Sequence, residues 1–444
     1  MAGGPRGARL TATLSRSSAG ISAPLRSLPP VALYIHVPFC VSLCPYCDFV
    51  VLSGATTRGP RSRIEAFLAA LRTELELRAD ALDARFGAAG SPGRPALDSL
   101  YLGGGTPSLL PAEAVAGLLE RVRTRFGLAA EAEVTIEANP GPDERGDLAG
   151  FAVAGVNRVS FGAQALDPGE LRRLGRRHRP ADVREAVAAA RAAGLASVNL
   201  DLLYDVPGQT LETWAASLEE ALRLEPDHLS LYALTLDDPD AEGLTGPRGD
   251  HLPTRPGARR WRERAAREQD GDRAADEYEL AWRRLDELGW RGYELSNWAR
   301  PGRESRHNLA YWRRRPYDAV GPGAHAFDGA TRRWTVARLD AYLAALAGDA
   351  PRLPPGGGEA LDPEAAAAET LILGLRLDEG VAAEMAGGGP PEAGNAPAGR
   401  RAAALAWGEA NGLLERWSGG EGDGRLRLTL RGRLLSNELF ARLV

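Results

Sequence analysis

The chain has 444 residues, 44% hydrophobic and 25% charged, with a formal net charge of −5. That composition is ordinary for a globular protein and gives no sign of a nucleic-acid partner. No apolar run approaches the roughly 20 residues of a membrane-spanning helix. The three cysteines, Cys40, Cys44 and Cys47, cannot make a disulfide scaffold.

Residues 1–30 carry Arg6, Arg9, Arg16 and Arg26, several serines and no acidic residue. They read as a disordered tail; the composition is also compatible with a mitochondrial transit peptide, and no apolar centre of a secretory signal is present. From Val31 onward, short apolar runs alternate with amphipathic stretches. Strands are expected at Val31–Val37, Ser99–Leu102, Glu133–Ala138, Arg158–Gly162, Val198–Tyr204 and His228–Thr235. Helices are expected at Arg61–Leu82, Pro111–Phe126, just before Gly155, at Ala181–Ala193 ending on Gly194, and at Leu211–Leu224. Six strands in series, joined mostly by helices, imply an α/β fold with a parallel sheet and right-handed crossovers. The pattern alone does not separate an open doubly wound sheet from a barrel. Either one places chemistry at the C-terminal ends of the strands.

Asp237–Asp276, rich in Pro, Gly and charge, reads as a solvated insertion. A helix at Glu277–Leu288, an edge strand at Tyr293–Asn297, a helix at Glu364–Leu377 and a Gly/Pro linker at Ala386–Gly399 follow. Arg400–Glu415, Leu426–Leu430 and Leu434–Leu443 suggest a small module of helix, strand and helix. The expected organisation is a tail over 1–30, a core over 31–300 and a C-terminal region over 301–444.

All three thiols lie in one loop after the first strand, in Tyr34-Ile-His-Val-Pro-Phe-Cys40-Val-Ser-Leu-Cys44-Pro-Tyr-Cys47-Asp-Phe49, spaced C-x3-C-x2-C. Soft thiolates suit Fe–S clusters, Cu(I) or zinc. A closed [4Fe–4S] site takes four cysteines, so three would leave one iron without a protein ligand. An open metal position is where a small molecule can bind and react. Zinc would more often show paired C-x2-C knuckles, and His36 is the one nearby fourth ligand.

At these residues the chain resembles the radical S-adenosylmethionine (SAM) superfamily, whose signature is C-x3-C-x2-C with an aromatic before the last cysteine, here Tyr46. The longer string resembles one subgroup, the oxygen-independent coproporphyrinogen dehydrogenases and their HemW relatives. The resemblance implies a partial (β/α)6 barrel with a smaller C-terminal α+β module. It also implies a [4Fe–4S] cluster on Cys40, Cys44 and Cys47, with SAM chelating the fourth iron through its amino and carboxylate groups. Gly103-Gly-Gly-Thr106-Pro resembles the family's GGTP segment, which assigns Gly104, Gly105 and Thr106 to SAM. Tyr34, Tyr46, Glu137, Gln164, Arg176 and Asp201 carry over by motif match. On the residues alone, Tyr34 and Tyr46 could be packing aromatics, Glu137 a charge flanking a helix and Arg176 a surface arginine. Asp201 lies in the largely apolar Val198–Leu203, where an unpaired charge is costly.

Arg306-His307-Asn-Leu-Ala-Tyr311-Trp312 is a second centre. An imidazole with Tyr and Trp about one helical turn on would suit haem iron and a porphyrin face; a packed polar corner is the plainer alternative. The resemblance favours haem, since HNxxYW is associated with haem binding in the HemW branch, and it assigns His307. A neutral imidazole ligates iron, so binding should weaken as a free His307 protonates near a reference pKa of about 6.5. Gly321-Pro-Gly-Ala-His325 resembles the family's G-x-G-A-H, without a role that can be derived. His36, His178, His228 and His251 are expected to pack or face solvent. The resemblance thus implies a haem chaperone that passes haem to an unidentified acceptor protein. The alternative is a coproporphyrinogen dehydrogenase or another haem-modifying radical SAM enzyme. The dehydrogenases carry a fourth cysteine just after the cluster motif, where this chain has Asp48 and Phe49. A three-thiolate cluster argues for a reducing cytoplasm, or for mitochondria in a eukaryote.

Overall fold

The computed structural model describes residues 25–57, 59–386, 397–417 and 424–444. Its first half alternates strands and helices. These are β1 (Ala32–Val37), α1 (Ile64–Phe86), β2 (Leu97–Gly104), α2 (Ala112–Arg125), β3 (Leu128–Ala138), α3 (Leu148–Ala154), β4 (Arg158–Gln164), α4 (Pro168–Arg173), α5 (Pro180–Ala192), β5 (Ser197–Tyr204), α6 (Leu211–Arg223) and β6 (His228–Ala233). The six strands pair in parallel in sequence order, the expected partial (β/α)6 barrel. Local chemistry sets the helix starts. Asp167 caps α4 by accepting from the Gly169 and Glu170 amides, and Thr210 with Thr213 forms a capping box at α6.

The strands alternate. Leu33 and Ile35, Leu100 and Leu102, Val159 and Phe161, Leu200 and Leu202 join Phe67, Leu71, Leu118, Val183 and Trp214 in the main apolar core beneath the helices. Period two sends the intervening residues to the opposite, inner face. That face is polar, with Tyr101, Glu137, Arg158, Ser160, Asn199, Asp201 and Ser230 lining one cavity.

After β6 come α7 (Pro256–Ala265), α8 (Gly271–Glu287), β7 (Arg291–Gly292), β8 (Asn297–Ala299), α9 (Arg306–Trp312), β9 (Tyr317–Val320), β10 (His325–Phe327), β11 (Thr331–Thr335), α10 (Leu339–Leu346), β12 (Gly356–Ala360) and α11 (Pro363–Arg376). β9 pairs in parallel with β1, and β10 to β12 continue antiparallel, so strands beyond residue 300 belong to the core sheet. Among the described residues that sheet has twelve strands. The C-terminal module holds β13 (Val381–Ala382), α12 (Pro397–Ala410), β14 (Leu414–Trp417), β15 (Arg425–Leu428), α13 (Leu430–Leu434) and α14 (Ser436–Leu443), with a three-stranded antiparallel sheet over its own core of Leu371, Leu405, Leu426 and Leu439.

Several sequence expectations need correction. The insertion is not simply solvated. It contains α7, whose Arg262 is buried and whose Trp261 meets the Tyr46 ring at 6.3 Å. No strand spans Tyr293–Asn297, because the chain reverses there: β7 and β8 pair antiparallel across it, Gly292 opposite Trp298, and Glu294 accepts from the Ser296 amide at 3.0 Å within the turn. The last helix begins at Ser436, and a separate short helix, α13, precedes it where none was expected. Of the expected linker, 387–396 lie outside the described residues, and α12 begins at Pro397. Residues 1–24 of the tail also lie outside them, while the Leu28 amide donates to Asp328 O at 2.7 Å.

Candidate functional site

The cysteine loop leaves the C-terminal end of β1 and borders a cavity of about 590 Å³. Cys40, Cys44 and Cys47 are free, partly buried thiols on its wall. Burial pushes the Cys40 thiol up to about 12, partly offset by the Thr106 hydroxyl donating to its sulfur at 3.5 Å. Burial raises Cys47 as well, and the neighbouring cysteines add to it. Arg176 donates to Cys44 Sγ at 3.3 Å and to Gly162 O at 2.8 Å, so this guanidinium is tied to the loop. From α7, Arg262 donates to Cys47 O at 2.9 Å and to Pro45 O and Tyr46 O at 3.2 Å each. A cation thereby caps three loop carbonyls.

The glycine segment ends β2 against this loop. Gly104 has φ +106, and a Cβ there would stand 2.4 Å from the His36 ring; only glycine fits both demands. Its amide donates to Glu137 Oε2 at 2.9 Å, and the Tyr101 hydroxyl donates to Oε1 at 2.8 Å. Burial, more than those two bonds can offset, lifts the Glu137 carboxyl to about 7. Asn139 donates to Thr106 Oγ1 at 3.1 Å. Asp201 is raised by burial, against bonds from its neighbours. It accepts from Ser160 at 3.1 Å and from Asn199 at 2.7 Å, which answers how the sequence tolerates a carboxylate there. Gln164, at φ 65, ends β4 in a conformation uncommon for a non-glycine residue.

One cavity therefore gathers Cys40, Cys44, Cys47, Tyr46, Gly104, Gly105, Thr106, Glu137, Gln164, Arg176 and Asp201. Tyr34 is not among them. It stacks beside Tyr101 at 6.1 Å and lines a separate cavity on the other flank of β1. Sequence reasoning missed Arg158, Ser160, Asn199, Ser230 and Arg262. The first four follow a period of two within apparently apolar strands, a signal that could have exposed them.

The residues fit an iron–sulfur cluster better than a bare ion. Among the described residues no group of three His, Cys, Asp or Glu could hold a single metal ion, whereas a cluster takes one thiolate per iron. Arg158 Nε and Arg176 Nε are buried without a hydrogen-bond partner, and both guanidinium groups line the cavity. A ligand rich in acceptor oxygens would satisfy them.

His307 does not offer the free imidazole expected of it. It is 1% exposed, its Nδ1 pairs with Ser99 Oγ at 2.9 Å, and its Nε2 pairs with the Tyr311 hydroxyl at 2.8 Å. Burial holds it down to about 3, so it stays neutral across the range where acid was expected to protonate it. Trp312 lies under the Arg376 guanidinium at 4.4 Å. His36, His178 and His228 are buried and hydrogen-bonded.

Comparison with known proteins agrees with this geometry. The radical SAM superfamily profile matches residues 34–221, and the HemN C-terminal domain profile matches 361–435. The chain is 39% identical over 415 residues to heme chaperone HemW of Mycobacterium tuberculosis, covering 94% of this chain and 95% of that one. It is 38% identical over 298 residues to heme chaperone HemW of Escherichia coli, covering 67% and 70%. The solved structure of the Escherichia coli radical SAM enzyme coproporphyrinogen III oxidase (HemN) superposes with a TM-score of 0.72 at 23% identity, over 94% of this chain and 90% of that one, a likeness of fold. A radical SAM core, a HemN-type C-terminal domain and a relative matched over nearly its full length together place the chain in the HemW family of the radical SAM superfamily.

Proposed function

We propose that the protein is a haem chaperone that binds haem, carries a SAM-binding [4Fe–4S] cluster, and delivers the haem to an acceptor protein. The observation that carries this reading is the 39% identity spanning 95% of a relative named for that activity. Asp48 and Phe49, where a coproporphyrinogen dehydrogenase would carry its further cysteine, weigh against the enzyme alternative.

Cys40, Cys44 and Cys47 would each hold one iron, and the bound cluster would supply one-electron chemistry. Because burial raises the Cys40 and Cys47 thiols, cluster assembly on them would release protons. Gly104, Gly105, Thr106, Glu137, Gln164, Arg176 and Asp201, with Tyr46, would form the SAM seat. Arg158 and Arg176 present cationic donors to it, and Glu137 and Asp201 present acceptors. Among the described residues no helix is long and apolar enough to cross a membrane. We place the protein in the cytoplasm because an open cluster needs a reducing compartment.

The test is anaerobic purification and cluster reconstitution, followed by haem titration and a coproporphyrinogen III turnover assay in parallel. We expect a Soret change on haem addition and no turnover. Formation of protoporphyrinogen would overturn the chaperone reading in favour of the enzyme.

A further inference from the structure

A second cavity, of about 320 Å³, shares Phe49 with the cysteine cavity. Its walls are largely aromatic, and Tyr311 meets Tyr317 edge-on within them at 4.5 Å. Tyr311 is the residue of the HNxxYW segment that reaches the cavity, and its hydrogen bond with His307 Nε2 holds its hydroxyl in place. The segment thus contributes a tyrosine to this space, while its histidine stands behind.

His36 also lines the cavity, but both its ring nitrogens are bonded, to the Tyr34 hydroxyl at 3.1 Å and to Val50 O at 2.8 Å; two further imidazoles stand at the rim. His251 comes from the insertion and His325 from the Gly321–His325 turn, and Asp250 lies between them. Asp250 Oδ1 is 3.1 Å from His251 Nδ1, and Oδ2 is 3.1 Å from His325 Nε2. Gly323, at φ +75, allows the turn to come this close, since a Cβ there would stand 2.5 Å from Val50. Of the six histidines, four are at most 5% exposed, whereas the side chains of His251 and His325 are 26% and 45% exposed.

We propose that this cavity is the haem seat and that the imidazole pair His251 and His325, not His307, supplies the iron ligand. The proposal rests on the haem reading above. At His325 the Asp250 carboxylate takes Nε2, which fixes the tautomer and makes Nδ1 a better metal ligand, an arrangement common around bound metals. Haem suits the site better than a bare ion. The porphyrin brings four nitrogens of its own and asks the protein for one or two imidazoles, and among the described residues no three metal-binding side chains converge. Tyrosine and phenylalanine rings match a flat apolar face. The cavity is smaller than a whole haem, so part of the macrocycle stays exposed, as a carrier that must hand it on requires.

The test is haem titration of the full chain with its cluster reconstituted, comparing the unaltered protein, His307→Ala and the His251→Ala/His325→Ala double variant. We expect the double variant to lose the imidazole-type Soret band and to bind haem at least tenfold more weakly, with added imidazole restoring the band. His307→Ala should keep imidazole ligation at altered affinity. Unchanged iron and sulfide content of the cluster would report that the double variant is folded. An unchanged Soret band and affinity in the double variant would overturn the proposal. So would an electron paramagnetic resonance signal of the unaltered ferric complex that lacks histidine ligation, a reading independent of how any variant folds. Absence of haem binding in the unaltered chain is a separate result, which overturns the haem reading itself and this seat with it.

Discussion

His307 and Tyr311, one turn apart on α9, are joined by a 2.8 Å hydrogen bond between Nε2 and the hydroxyl. The bond and its counterpart to Ser99 make His307 a buried brace between β2 and α9. Removing it strands the buried Ser99 hydroxyl and takes one partner from the partly buried Tyr311 hydroxyl. His307→Ala should therefore lower stability by about 1–3 kcal/mol, measured by chemical denaturation of the cluster-free chain. Because burial already keeps the ring neutral, its loss should leave haem affinity between pH 5 and 7 no more acid-sensitive than before.

Cys44→Ala should abolish cluster assembly. After anaerobic reconstitution the unaltered chain is expected to hold about one [4Fe–4S] cluster, counted as iron and acid-labile sulfide. The variant should retain a small fraction of that. Stoichiometric zinc without sulfide in the unaltered chain would sink the cluster assignment.

Arg262→Ala should loosen the cysteine loop from a distance. Three carbonyls lose a charged donor, a change worth about 1.5–3 kcal/mol. We expect lower reconstitution yield and faster loss of iron to a chelator, with cluster assembly still possible. An unaltered rate of iron loss would show that α7 merely rests on the loop.

Glu137→Gln should flatten part of the pH dependence of stability. Burial raises the folded carboxyl from 4.5 to about 7, so its stabilising contribution is complete below pH 4.5 and is lost as the pH rises through 7. The variant does not titrate there. Relative to the unaltered chain it should gain stability between pH 5 and pH 8, by at most roughly 3 kcal/mol. Denaturation curves at both pH values check this, and an equal difference at the two would refute it.

The parallel βα core was legible because its strands carry apolar residues on the helix-facing side, though its barrel form came only from the family resemblance, and the cysteine loop was legible because thiols in that spacing have few other uses. The inner face was less so. Asp201 stood out against apolar neighbours, yet Asn199 and Ser160, which make it tolerable, looked like incidental polar positions. The surroundings of His307 were not legible for a physical reason. Residue type does not reveal whether an imidazole is open or held at both nitrogens, and here the second partner, Ser99, lies 208 residues away. The insertion misled in the opposite direction. An arginine-rich stretch looks solvated, but Arg262 finds its partners in carbonyls of the cysteine loop more than 200 residues earlier.

Phe49 borders both cavities. Occupants on its two sides would contact one ring, and any rotation that one favours is felt by the other. Such coupling is reciprocal: the factor by which a ligand in the cysteine cavity changes affinity in the second is the factor by which the second ligand changes the first.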